Sequence, residues 1–172
     1  MKAVLRKIAL MNLILSATET YKYEALGLIF GKVSKNHVDI VNALPYQTAK
    51  RKFNEVEDSK KSKILQKFIE RTNKLIGDFH SHSDFKSGMH AELSDQDIRD
   101  MKKGTTSLIV GIKKIKKRRK TEAANRKEDG KGLSFSINGY RYQIRCYHKT
   151  KSGTVKELKI SDRNFRSLKL GS

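Results

Sequence analysis

Cysteine is nearly missing from this chain. Cys146 is the only one in 172 residues, so no intrachain disulfide can form and a cysteine-built zinc finger is excluded. Nothing in the sequence depends on oxidation, which favours a reducing, cytoplasmic setting. Proline also occurs once, at Pro45, where the regular pattern of the first half should stop, and tryptophan is absent. No apolar stretch has the length of a membrane span, so the expectation is a soluble protein with no membrane partner. Acidic residues are scarce: 18 Asp and Glu stand against 38 Lys and Arg, a formal charge of +20. That excess attracts polyanions, whether nucleic acid, an acidic protein or an anionic surface, without choosing among them.

What is present suits one domain over residues 1–172 with a real core and a heavily charged surface, since 37% of residues are hydrophobic and 33% charged. Lys2, Arg6 and Lys7 precede an apolar run from Ile8 to Leu15, a superficial likeness to a secretory leader. Asn12 interrupts that run, and Leu5, Ile8, Met11 and Leu15 fall at helical spacing, so an amphipathic first helix is the better reading. Residues 25–33 read as a buried strand with Gly27 and Gly31 at points of close packing, and residues 37–41 as its paired neighbour. A second helix is expected over 57–74, with Ile64, Leu65, Phe68 and Ile69 on one face. A short strand over 75–79 runs into His80, and a polar loop follows to Glu92. Ser94 can cap a helix over 95–103 that Gly104 would end. Residues 108–112 form another buried strand, and further strands are expected near 133–138, 140–147 and 155–160. The pattern is α/β or α+β: a mixed, curved sheet flanked by helices.

Chemistry concentrates in Gly77-Asp78-Phe79-His80-Ser81-His82 and Ser94-Asp95-Gln96-Asp97. Histidines two apart on a strand project to the same side, so both imidazoles can reach one ion. Asp97, one helical turn after Ser94, can supply a third ligand. Two neutral nitrogens and one oxygen suit zinc and leave a fourth position for water, as a catalytic site requires. A base must then take a proton from that water and pass it to the departing amine, and Glu24, just before a glycine-bounded strand, is the candidate. Singly, each element has a bland explanation: a solvated His pair, an ordinary capping box, a surface glutamate. Their joint occurrence in this order points to a metal site.

The arrangement Glu24 … His80-Ser81-His82 … Ser94-x-x-Asp97 resembles the signature of the JAMM/MPN zinc metalloproteases, which remove ubiquitin-like modifiers from their targets. Glu24-Ala25-Leu26-Gly27-Leu28-Ile29-Phe30-Gly31 is similar to the family's strand after its glutamate, and the element order fits over nearly the whole chain. The resemblance implies zinc on His80, His82 and Asp97, and Glu24 as general acid and base. It gives Ser94 the bound water or the developing oxyanion. Two departures stand out. Ser83 replaces the family's usual proline, and the 11 residues between His82 and Ser94 exceed the usual spacing. Asp84, His90 or Glu92 in that longer loop is an alternative ligand, though a helix-anchored Asp97 is better preorganised.

Cys146 and His148 share a strand face, but no third group orients them, so a structural cysteine is expected. His37 reads as a strand residue only. Residues 113–130 read as a basic, solvated loop, with nine Lys or Arg from Lys113 to Lys127 against one acid, Glu122. Its composition suits phosphate, although no aromatics interleave with its cations; docking of an acidic ubiquitin-like modifier is preferred to nucleic acid.

Overall fold

The computed structural model describes residues 1–46, 50–52, 55–57, 64, 67, 74–83, 90–115, 122–126 and 131–161. Its strands are β1 (Lys2–Leu5), β2 (Leu26–Val33), β3 (His37–Pro45), β4 (Lys50–Lys52), β5 (Glu55–Glu57), β6 (Leu75–Ser83), β7 (Thr106–Lys114), β8 (Glu122–Arg126), β9 (Leu133–Ile137), β10 (Tyr140–Lys149) and β11 (Val155–Ile160). Helix α1 covers Lys7–Glu19 and α2 covers Asp95–Asp100.

Nine strands form one mixed sheet in the order β11-β1-β3-β2-β6-β7-β10-β9-β8, and β4 pairs with β5 apart from it. β1 runs parallel to β3 and β11, and β6 parallel to β7, while the other neighbours are antiparallel. β11 also pairs with the end of β10, so the strands from β11 round to β10 close into a barrel. The α+β class and the mixed sheet therefore hold. Flanking by helices does not: among the described residues only α1 lies along the sheet, against β3 and β7, and α2 buries no residue.

α1 buries Ala9, Leu10, Leu13, Ser16 and Ala17. The stripe expected to face inward is exposed instead, with Ile8 at 58%, Met11 at 55% and Leu15 at 56%. The segment is apolar nearly all round, and its small residues let the helix sit closer to the sheet than the large ones would. Leu5 belongs to β1, a strand that was not anticipated, and the extended backbone of Arg6 ends it. Asn12 and Asn42 are joined by a 2.9 Å side-chain bond, which satisfies the polar break in the apolar run.

Strands outlast their apolar stretches wherever a neighbour supplies hydrogen bonds. β3 continues to Pro45 and β6 through His80, Ser81 and His82 to Ser83, so the polar loop begins later than expected. Lys113 and Lys114, assigned above to the solvated loop, end β7 opposite Arg141 and Tyr140 of β10, and β8 occupies 122–126 of the same segment. Residues 116–121 and 127–130 lie outside the described residues. So does the helix expected over 57–74, except that Ile64 and Lys67 are helical and Glu57 belongs to β5.

The main core gathers Leu13, Ile29, Ile40, Phe79, Leu108, Ile112 and Tyr142 with their neighbours. Fully burying side chains of this size is worth about 1.5–3 kcal/mol each. A smaller cluster of Ala91, Met101, Ile109 and Tyr147 lies on the other face of β7 and seats the end of α2. Gly77 brings β6 against β7: its φ is 155°, and a Cβ there would collide with the carbonyl oxygen of Thr106. Among the described residues no helix is long and apolar enough to cross a membrane.

Candidate metal centre

Alternation along β6 sorts the site's side chains. Phe79 and Ser81 are buried on one face, so Asp78, His80 and His82 share the other. The Nε2 atoms of His80 and His82 stand 3.1 Å apart. Asp97 completes the group, with Oδ1 at 3.3 Å from His80 Nε2 and Oδ2 at 3.9 Å from His82 Nε2. A zinc ion about 2.0–2.1 Å from tetrahedral ligands holds them about 3.3–3.4 Å apart. The donor set suits that ion by chemistry. The two contacts of His80, at 3.1 and 3.3 Å, are close to this spacing, whereas Asp97 faces His82 with its other oxygen at the wider 3.9 Å. The three residues form a group of possible metal ligands among the described residues.

α2 presents Asp97 through a capping box. Asp97 N donates to Ser94 Oγ at 3.1 Å, while the backbone N and the hydroxyl of Ser94 each donate to Asp97 Oδ2 at 2.7 Å. The box fixes the carboxylate before any ion arrives. Burial alone would raise its pKa, but His80 and the two Ser94 bonds outweigh that and hold it far below the usual carboxylate range. Burial opposes charge on His80, yet the bond to Asp97 and the nearby charges of Asp97, Asp78 and Glu24 raise its pKa overall. His82 is lowered, by burial and then by the charge of His80. Its ring also hydrogen-bonds the backbone of His90, the kind of outer contact that orients a ligating imidazole.

Glu24 immediately precedes Ala25, which is bound twice to the residue between the histidines. Ala25 N donates to Ser81 Oγ at 2.8 Å, and Ser81 N donates to Ala25 O at 2.9 Å. The ladder then continues with Leu26 opposite His80. Burial raises the Glu24 carboxyl pKa; His80 opposes this and Asp97 adds to it, which places Glu24 within electrostatic reach of the ligand set. The structure thus brings His80, His82 and Asp97 into one group, with Ser94 bound to Asp97 and Glu24 beside them.

Of the alternative ligands, Glu92 lies against His90 at 3.5 Å and against Arg145 at 3.5 Å, outside the three-atom group, and Asp84 is not among the described residues. Cys146 is fully buried and burial pushes its thiol pKa far up, which removes it as a nucleophile. His148 hydrogen-bonds Thr106 Oγ1 at 3.0 Å, and His37 is an exposed strand residue. Two positions escaped the sequence reading. Ser81 is one; Asp78, which accepts a 2.6 Å bond from Ser107 Oγ and raises the pKa of His80, is the other. Both neighbour the histidines on the strand, one on each face, but their roles are cross-strand contacts that the strand's own pattern does not carry.

Residues 7–126 match the family model described as prokaryotic homologs of the JAB domain, a span that includes Glu24, His80, His82, Ser94 and Asp97. The chain belongs to the JAB/MPN family. A protein from Desulfitobacterium hafniense with a solved solution structure shares this JAB chain's fold, at a TM-score of 0.60 and 16% identity over 92% of this chain and 91% of that one. No curated protein sequence matches.

Proposed function

We propose that this JAB domain is a zinc-dependent metallopeptidase that hydrolyses the peptide or isopeptide bond after the C-terminal glycine of a ubiquitin-like modifier. The observation that carries the reading is a His, His and Asp donor group, its facing atoms 3.1–3.9 Å apart, beside the half-buried carboxyl of Glu24. His80, His82 and Asp97 would hold the ion, and zinc so held lowers the pKa of water and polarises a carbonyl.

The chain's own residues supply the rest. Glu24 takes a proton from the attacking water and gives it to the leaving amine; its raised pKa moves it toward the range where one group can do both near neutrality. Ser94 would donate to the oxyanion. Its hydroxyl now donates to Asp97 Oδ2, so turning toward substrate releases that bond, while the backbone N–H of Ser94 keeps hold of the same oxygen. The complete set supports catalysis over a purely scaffolding role.

A modifier's extended tail can add as a strand only where an edge is open. β2, β6 and β7 are each paired on both sides, and β6 loses its β2 partner only beyond His80. Among the described residues, the open edge next to the ligands is therefore at the last residues of β6, and the tail would add there. The test is incubation of the zinc-loaded protein with a ubiquitin-like protein fused at its C-terminal glycine to a second protein, with and without chelator. Cleavage after that glycine, abolished by chelator and restored by zinc, is the expected result. An intact fusion under every metal condition would overturn the reading.

A further inference from the structure

Away from the donor group's own residues the fold makes a pocket of about 500 Å³, lined by Glu19, Thr20, Tyr21, Lys22, Tyr23, Lys114 and Tyr140. Its volume lies in the ordinary range of ligand sites. We propose that this pocket binds single-stranded nucleic acid, with Tyr23 stacking on a base and Lys22 and Lys114 on the flanking phosphates.

Three tyrosines from two distant segments meet there. Tyr21 and Tyr140 pack edge to face at 5.2 Å between ring centroids, and Tyr21 is pinned where its hydroxyl accepts the Lys114 backbone N–H at 3.1 Å. Those two rings also pack on the core, so they form a rigid wall. Tyr23 is different: it is 48% exposed, a large ring left open to solvent at the pocket. Lys22 and Lys114 are both exposed, and neither has an ion-pair partner among the described residues. Glu19 opposes an anion, but two lysines outnumber it, and the chain as a whole carries +20.

The basic run showed no aromatic interleaving in the sequence; the fold supplies it, because Lys114 of that run comes to lie with Tyr21, Tyr23 and Lys22. Aromatic faces alternating with cations are the means by which proteins hold single strands without reading their sequence. An acidic polypeptide would use the lysines but gain little from an open ring. The site does not depend on the peptidase reading, and Tyr23 is no metal ligand.

Binding of labelled oligothymidylate and oligouridylate of about twelve nucleotides is to be measured by anisotropy across a salt series, with polyglutamate of similar charge as competitor. Tyr23→Ala is expected to weaken binding by about five- to 150-fold, the range for one stacked base, while Tyr23→Phe keeps it. Lys22→Ser should lower the slope of log affinity against log salt by about 0.7, the loss of one phosphate contact on a single strand. A native circular dichroism spectrum and melting temperature in each variant check that the fold survives. Unchanged affinity in Tyr23→Ala would overturn the proposal. So would polyglutamate binding as tightly as the oligonucleotides with the same dependence on Tyr23, which would mark a surface for acidic protein instead.

Discussion

Replacing Ser81 with alanine removes one buried oxygen and leaves both histidines in place. In the native protein that oxygen accepts the Ala25 N–H at 2.8 Å, and the Ser81 residue is 0% exposed, so no water can take its place without the strands parting. An orphaned buried donor costs about 1–3 kcal/mol. At roughly 2–4 °C per kcal/mol for a chain of this size, the melting temperature should drop by roughly 2–12 °C. The second link, Ser81 N to Ala25 O at 2.9 Å, remains, so the strand start should loosen without detaching. Glu24 is the next residue along. A displacement approaching 1 Å at a reacting group costs up to about a hundredfold, so turnover should fall by about ten- to a hundredfold with KM little changed. Zinc content should stay intact, because no ligand is touched, and Ser81→Thr, which keeps the hydroxyl, should recover most of the rate. Steady-state kinetics on a cleavable modifier fusion, corrected for the folded fraction, is the assay. A variant that loses stability yet turns over at the native rate would refute the positioning argument, and one that sheds zinc would move Ser81 into the metal site proper.

Three other perturbations probe separate parts of the account. Glu24→Gln should keep its zinc and lose at least about a hundredfold in turnover, the low end for general acid–base catalysis; loss of metal instead would make Glu24 a ligand. Replacing Lys116, Lys117, Arg118 and Arg119 with serine should reduce kcat/KM toward an acidic modifier and flatten its salt dependence, with kcat nearly constant, because steering acts on encounter; an unaltered salt dependence would rule steering out. Gly77→Ala should destabilise the chain by at least about 2 kcal/mol in chemical denaturation, since the added Cβ meets a backbone carbonyl that cannot rotate away, and native-like stability would contradict the close β6–β7 approach.

The residues of the candidate metal group were legible because their signal is chemical and short-ranged: two histidines on one strand face and a capping box one helical turn long. Their meeting required the fold, since 14 residues lie between His82 and Asp97. Ser81 was hidden because its role is a cross-strand bond to Ala25, 56 positions away. Element ends were misplaced for a related reason. β6 runs on through His-Ser-His and β7 through two lysines because neighbours at Ile112 and Tyr140 pair with their backbones, and hydrophobic patterning cannot register that. β8, Glu-Ala-Ala-Asn-Arg, has almost no intrinsic preference for extended structure and is held by β9. The inward face of α1 was inverted because side-chain size suggested Ile8, Met11 and Leu15, whereas close approach to the sheet selected the side bearing Ala9, Ser16 and Ala17. The tyrosine pocket was out of reach for the same reason as Ser81: Tyr21 and Tyr140 become neighbours only through the fold.

The most direct test of the metal centre is the zinc content of purified, zinc-equilibrated protein, read by elemental analysis beside the His80→Ala, His82→Ala and Asp97→Ala variants. Close to one zinc per native chain, and next to none in each variant of comparable fold by circular dichroism, is the predicted result. A native chain without zinc, or variants that retain it in full, would contradict the account at its centre.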